Sequence, residues 1–185
     1  MTLSLDRIES PVGTILMVAH STAMVALDFS DCTDRMLSYL RLRYRDVDLV
    51  PCADPNGYST RIRAYLDGDL HALDKVPVDA MGTEFQQRVW AALRTIPAGE
   101  TRSYGDVAAA IGQPTACRAV GMANSRNPVA IVVPCHRVIG SNSKLTGYAG
   151  GIHRKRWLLS HEGLTQNRIN SVLLPYLDGP SISVA

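Results

Sequence analysis

Cys135 and His136 stand side by side, and they carry the most reactive pair of side chains in the chain. A thiol becomes a strong nucleophile when a base takes its proton, and a carboxylate behind that base fixes the imidazole tautomer and stabilises its charged form. The helical segment from Arg154 to Glu162 offers His161 and Glu162, and Glu162 could orient His136 or share its proton. Spacing alone does not assemble this set, because adjacent residues on an extended chain point apart. The plain alternative is a buried, inert cysteine beside a satisfied core histidine.

A polar, glycine-rich loop, Gly140 to Gly151, follows the thiol. Gly147, Gly150 and Gly151 permit close backbone approach to a planar ligand, and Tyr148 supplies an aromatic wall or a hydroxyl. The loop lacks the G-K-[ST] order of a phosphate-binding loop, and no G-x-G-x-x-G follows a strand, so a nucleotide cofactor has no support.

These groups need rigid placement, since reacting atoms must meet within about 3.5 Å. The apolar run Val129 to Val133 leads straight into Pro134, which restricts Val133 to an extended conformation and sets the thiol just beyond a buried segment. Upstream, Thr83 with Phe85, Val89, Trp90, Leu93 and Ile96 predicts a helix with a threonine N-cap, ended by Pro97-Ala98-Gly99. Ser103 caps a short helix from Tyr104 to Ile111, closed by Gly112, and another runs from about Ala116 to Ala123. The two helices, near 103–124, have the dimensions of a helix-turn-helix, though two merely packed helices would look the same. Arg118 in the first turns of the second helix could reach bases if that end enters a DNA groove.

The first 82 residues read differently. Leu3 to Phe29 alternates apolar runs with turn signals, as short antiparallel strands do. Helices are expected over Cys32 to Arg45 and Ser59 to Leu66, and a further strand near Val76 to Val78. The fold class is therefore α/β (α+β), with a strand-plus-helix domain over 1–82, a mainly helical domain over 83–170 and a tail over 171–185.

With 185 residues, 46% hydrophobic and 19% charged, the chain has the composition of an ordinary globular protein. Its charge is unevenly spread: residues 1–83 carry 8 basic and 12 acidic side chains, residues 84–185 carry 11 and 5. A polyanion would therefore meet the second half. Asp6, Arg7 and Glu9 interrupt any secretory signal, and no apolar run approaches the roughly 20 residues that span a bilayer. The expectations are no membrane association, a cytoplasmic location and free thiols at Cys32, Cys52, Cys117 and Cys135. The cysteines show no zinc-type spacing, so no metal is expected.

From Thr83 to Gly163 the chain resembles the catalytic domain of the O6-alkylguanine-DNA alkyltransferases, the methylated-DNA-protein-cysteine methyltransferases. The resemblance rests on F-Q-x-x-V-W at 85–90, I-P-x-G-x-x-x-S-Y at 96–104 and R-A-V-G at 118–121. It continues through N-P-V-A-I-V-V-P-C-H-R-V-I-G at 127–140, L-T-G-Y-A-G-G at 145–151 and R-K-x-W-L-L-x-H-E-G at 154–163. The N-terminal part resembles the family's ribonuclease-H-like domain in pattern only.

The resemblance implies that Cys135 accepts the alkyl group, activated through a water by His136, which Glu162 holds. It implies that Arg118 replaces a flipped-out nucleotide and that Tyr104 crowds the rotated phosphate and donates to the guanine ring. Asn127 would tie the recognition helix to the active-site strand, Tyr148 would line the base pocket, and backbone groups near Cys135, Val138 and Ala149 would read the guanine edge. Ala119, Val120 and Ala123 would lie against sugars in the minor groove. The implied partner is double-stranded DNA containing O6-alkylguanine, with O4-alkylthymine a further substrate and cooperative self-association on DNA allowed. No cofactor and no obligate protein partner are implied. Each molecule would act once, because a thioether has no route back to the thiol.

Several residues depart from the family pattern: Cys117 beside Arg118, Asn124 and Ser125 in place of a glycine-containing turn, His153 for an apolar residue, and Ala149 without a hydroxyl. The runner-up reading is a non-catalytic binder of alkylated bases, a class that typically lacks the acceptor cysteine. A cysteine hydrolase has no matching nucleophile motif.

Overall fold

Apolar residues on both faces bury Ile15–Ala19 and Met24–Phe29, paired strands of one sheet, so that every residue of both is buried. In the computed structural model, which describes residues 1–140 and 147–164, these are strands β2 and β3, and Thr2–Ile8 is β1. Asp48–Pro51 forms β4, and the sheet order is β3-β2-β1-β4, antiparallel except for the β1–β4 pair. The tail at 171–185 and positions 141–146 of the glycine-rich loop lie outside the described residues.

Side chains alternate across this sheet, as a period of two demands. Leu3, Leu16, Val18 and Val25 face α1, Thr33–Tyr44, through Met36 and Leu40. Ile15, Met17, Leu27 and Phe29 face the other way, toward Ile62 and Tyr65 of α2, Tyr58–Leu66. That second core runs on past residue 82 to Val89, Trp90, Val120, Val133 and Leu158.

The outer edge of β3 is covered by two later segments. Met24 and Leu27 exchange main-chain hydrogen bonds with residues 77–79 and 128–130. The expected strand near Val76 to Val78 is only the single bridge Met24–Val78, because Pro77 has no N–H to extend a ladder. The apolar run before the thiol is likewise no strand. After one bridge from Val129 to Leu27 it turns, with Ile131 in the left-handed region at φ 69°, costly for a β-branched residue. The run is nevertheless fully buried, so the thiol follows a fixed segment made of turns.

Local signals place the remaining helices. Thr83 and Gln86 form a reciprocal capping box at the start of α3, Glu84–Leu93, and Ser103 and Asp106 form another for α4, Tyr104–Ala110. Gly112, at φ +72°, ends the α4 turn and leads to α5, Cys117–Ser125. The Trp90 indole N–H donates to the Ala123 carbonyl at 2.9 Å, fastening α5 to α3. A two-residue parallel pair, β5 (Arg102–Ser103) with β6 (Val138–Ile139), joins the start of α4 to the chain just after the thiol. Helix α6, Ile152–His161, ends with Glu162 as its C-cap.

Candidate active site

Cys135 opens a short turn of 3₁₀ helix, Cys135–Arg137, and is 6% exposed. Asn127, just beyond α5, holds it. The Asn127 amide donates to the thiol sulfur at 3.1 Å and to the Val133 carbonyl at 2.8 Å, and its oxygen accepts the Val129 N–H at 3.0 Å. One side chain thereby ties the end of α5, the turn before the thiol and the sulfur itself. Burial pushes the Cys135 thiol up, against the Asn127 hydrogen bond and the positive charge of Lys155. The resting group is a thiol and needs a base.

The next residue on this turn is the histidine the sequence offers as that base. His136 is buried, and its Nε2 lies 2.8 Å from Glu162 Oε1. Burial would raise Glu162, but His136 and Arg137 together hold it well below the usual carboxylate range. Arg137 makes this possible with two hydrogen bonds, Nε to Oε2 at 2.9 Å and Nη2 to Oε1 at 2.8 Å. An ionised Glu162 assigns the imidazole proton to Nε2 and leaves Nδ1 a lone pair. Burial depresses the His136 pKa, with Glu162 opposing, so the ring is neutral near pH 7. Nδ1 is buried and has no hydrogen-bond partner among the described residues, and the same is true of the Tyr148 hydroxyl. Each such orphan costs about 1–3 kcal/mol, a penalty that a bound water or substrate would relieve.

Of the two carboxy-terminal candidates, Glu162 meets His136. His161 instead stacks on Trp157 and donates from Nε2 to the Tyr65 carbonyl at 2.7 Å. Tyr104 is half-buried, its ring against Gly121 of α5. Arg118 and Ala119 are exposed at the start of α5. Val120 and Ala123 are not on that surface: at 0% and 2% exposure they face the core with Val89 and Trp90, so the expectation that they lie against a groove is corrected. The residue that joins Arg118 and Ala119 outside is Met122, one turn on and 55% exposed. Both main-chain groups of Val138 are engaged, its N–H with Cys135 and its carbonyl with Lys155 Nζ at 2.6 Å. Ala149 is exposed, and its carbonyl faces the Cys32 thiol at 3.9 Å.

Sequence reasoning missed four contributors. Arg137 anchors Glu162, and Asn124 donates to the Cys135 carbonyl at 3.3 Å. Tyr65 donates to Glu162 Oε1 at 2.7 Å from 97 positions away, and nothing local announces it. Lys155 is fully buried, its pKa lowered by burial to about 8 against the pull of Cys135. Its signal was available, since 155, 158 and 159 share one helix face with two leucines.

Gly99 makes a further demand. Its φ is +77°, and an added Cβ would lie 2.8 Å from the Glu162 carbonyl oxygen. Gly99→Ala is expected to cost about 1–3 kcal/mol, read by urea unfolding. A neutral result would show that the Pro97–Gly99 turn yields freely.

No helix among the described residues is long and apolar enough to cross a membrane, and no group of three or more His, Cys, Asp or Glu there could hold a metal. Residues 84–164 match the family model described as 6-O-methylguanine DNA methyltransferase, DNA binding domain. The methylated-DNA-protein-cysteine methyltransferase of Shigella flexneri is 43% identical over 161 residues, 85% of this chain and 94% of that one. The Mycobacterium bovis protein of the same name is 49% identical over 158 residues, covering 84% and 89%. Among solved structures, Mycobacterium tuberculosis O6-methylguanine methyltransferase superposes with a TM-score of 0.73 at 45% identity, covering 86% of this chain and 92% of that one. The same organism's OGT in complex with DNA gives 0.73 at 41%, covering 94% and 99%. Relatives of this identity and coverage make the chain a member of the methylated-DNA-protein-cysteine methyltransferase family, a family of DNA-repair transferases.

Proposed function

We propose that Cys135 removes the alkyl group from O6-alkylguanine in duplex DNA and keeps it. The observation that carries this reading is a buried thiol, gripped by Asn127 and followed directly by a neutral His136 whose Nδ1 has no partner among the described residues while Glu162 holds Nε2. Through a water, Nδ1 takes the thiol proton. The thiolate attacks the alkyl carbon in line with its bond to O6; an S–C bond forms, the C–O bond breaks, and its electron pair leaves with guanine. The imidazolium formed is stabilised by the Glu162 carboxylate. The leaving guanine accepts a proton or hydrogen bond from Tyr104. The product thioether has no proton to lose and is a poor leaving group, so each protein reacts once and the methyl donor is the lesion itself.

In-line attack cannot reach a stacked base, so the guanine must be extruded. In this reading α5 lies in the minor groove with Ala119 and Met122 outward, Arg118 fills the vacated stack, and Tyr148 walls the base. The 1–82 and 83–170 division is kept, with the sheet order β3-β2-β1-β4 and parallel β4 supporting a ribonuclease-H-like N-terminal part. The non-catalytic binder is not favoured, because the acceptor cysteine is present with its activating set.

The pH dependence of single-turnover transfer from an O6-methylguanine duplex tests the role of His136. Neutral imidazole is the working form, and burial lowers its folded pKa below the ordinary 6.5. The midpoint of the acid limb should therefore lie below pH 6.5, where the rate falls as pH drops through the depressed value. Half-loss above pH 6.5 would contradict a buried neutral base.

A further inference from the structure

Two groups of Tyr65 reach the end of α6. Its hydroxyl donates to Glu162 Oε1 at 2.7 Å, and its carbonyl accepts from His161 Nε2 at 2.7 Å. The ring, 1% exposed, meets His161 edge-on at 5.2 Å, and His161 stacks on Trp157 at 4.8 Å. Residues 161 and 162 are thus gripped together by the last turn of α2, an element of the N-terminal half.

Glu162 Oε1 receives three donors: Tyr65, His136 and Arg137. Oε2 takes Arg137 Nε at 2.9 Å and the Gly99 N–H at 3.4 Å. Every donor draws charge from the carboxylate and lessens what it offers the imidazolium on His136. We propose that Tyr65 is a positioning residue of the transfer site: it aims Glu162 at His136 and, by loading Oε1, sets how readily His136 takes and returns a proton. The proposal rests on the reading of Cys135 and His136 given above.

The other groups acting on this pair come from later elements. Arg137 on the thiol's own turn and Lys155 on α6 both oppose protonation of His136, and Glu162 favours it. Tyr148 is held up first by burial and then by the charge an ionised Cys135 would carry. Burial and the neighbouring Glu162 push the Tyr65 phenol far above its ordinary range, so it remains a donor at every working pH. Any buried tyrosine hydroxyl needs a partner, so what marks a positioning role is the proton affinity of His136: loss of a tyrosine that only filled the core would leave it unchanged.

Tyr65→Phe keeps the ring and removes the donor. Two readouts apply: the acid limb of the pH profile for single-turnover transfer from an O6-methylguanine duplex, and a ¹⁵N NMR titration of His136 in free protein. The limb and the titration should move together to higher pH by about one unit, a loss approaching tenfold on the acid side, with unchanged duplex affinity. An unmoved limb and titration would overturn the proposal, even if the melting temperature fell. Should the phenylalanine variant fail to fold, 3-fluorotyrosine at position 65, a stronger donor of nearly the same shape, should move both readouts to lower pH; no movement would overturn the proposal equally. If the unmodified protein transferred no methyl group, the reading of Cys135 would fail, while the NMR titration would still decide whether Tyr65 acts on His136.

Discussion

Glu162→Ala is expected to destabilise the fold by about 3–5 kcal/mol, because it breaks a buried ion pair by removing one partner. Arg137 loses both of its carboxylate hydrogen bonds, His136 loses the acceptor for Nε2, and the Tyr65 hydroxyl is left buried without a partner. A typical domain has only about 5–15 kcal/mol in total, so the midpoint of urea unfolding should fall sharply at pH 7. The loss belongs to neutral pH, where the carboxylate is ionised in the native protein. A change below about 1 kcal/mol would mean that the network behaves like a solvated surface pair.

The second large effect is on rate. His136→Gln retains an N–H for Glu162 and a similar volume but removes the base. Single-turnover transfer at pH 7 should fall by about 10²–10⁴-fold, the range for general-base catalysis, while duplex binding stays near its original value because His136 is buried away from the surface. The thiol can still ionise by itself. Since burial holds its pKa above the ordinary thiol range, part of the lost rate should return only in strongly alkaline solution. A variant within threefold of the original rate at pH 7 would show that His136 is not the base.

Much of this site was legible in the chain because its signals are local. Thr83 and Ser103 announce the starts of α3 and α4 through side chains that bond three residues on, and the Cys135–His136 turn is a continuous motif. Contacts closed by the fold were not legible. Tyr65 reads as one more apolar position of an amphipathic helix, and only the packing of α2 against the end of α6 gives its hydroxyl a carboxylate. Lys155 sits between Arg154 and Arg156 in what looks like a solvated basic run, and only its helical phase with Leu158 and Leu159 marks it as a core position. The placement of Val120 was a misjudged helix phase: Val120 and Ala123 are three apart and apolar, the pattern of a core face, while 118, 119 and 122 form the outer stripe. The β-propensity of Val129 to Val133 was overridden by its bracketing prolines and the left-handed Ile131, which turn the chain to present the thiol.

One alkyl group should move to one sulfur and stay there. Intact-protein mass should be recorded after mixing with excess duplex bearing O6-methylguanine, with peptide mapping and Cys135→Ala in parallel. The expected result is a gain of one methyl group per protein, located on Cys135, that never exceeds one equivalent and is absent from the variant. An unchanged mass despite preferential binding of the lesion, or a methyl group mapped to Cys32, Cys52 or Cys117, would contradict it.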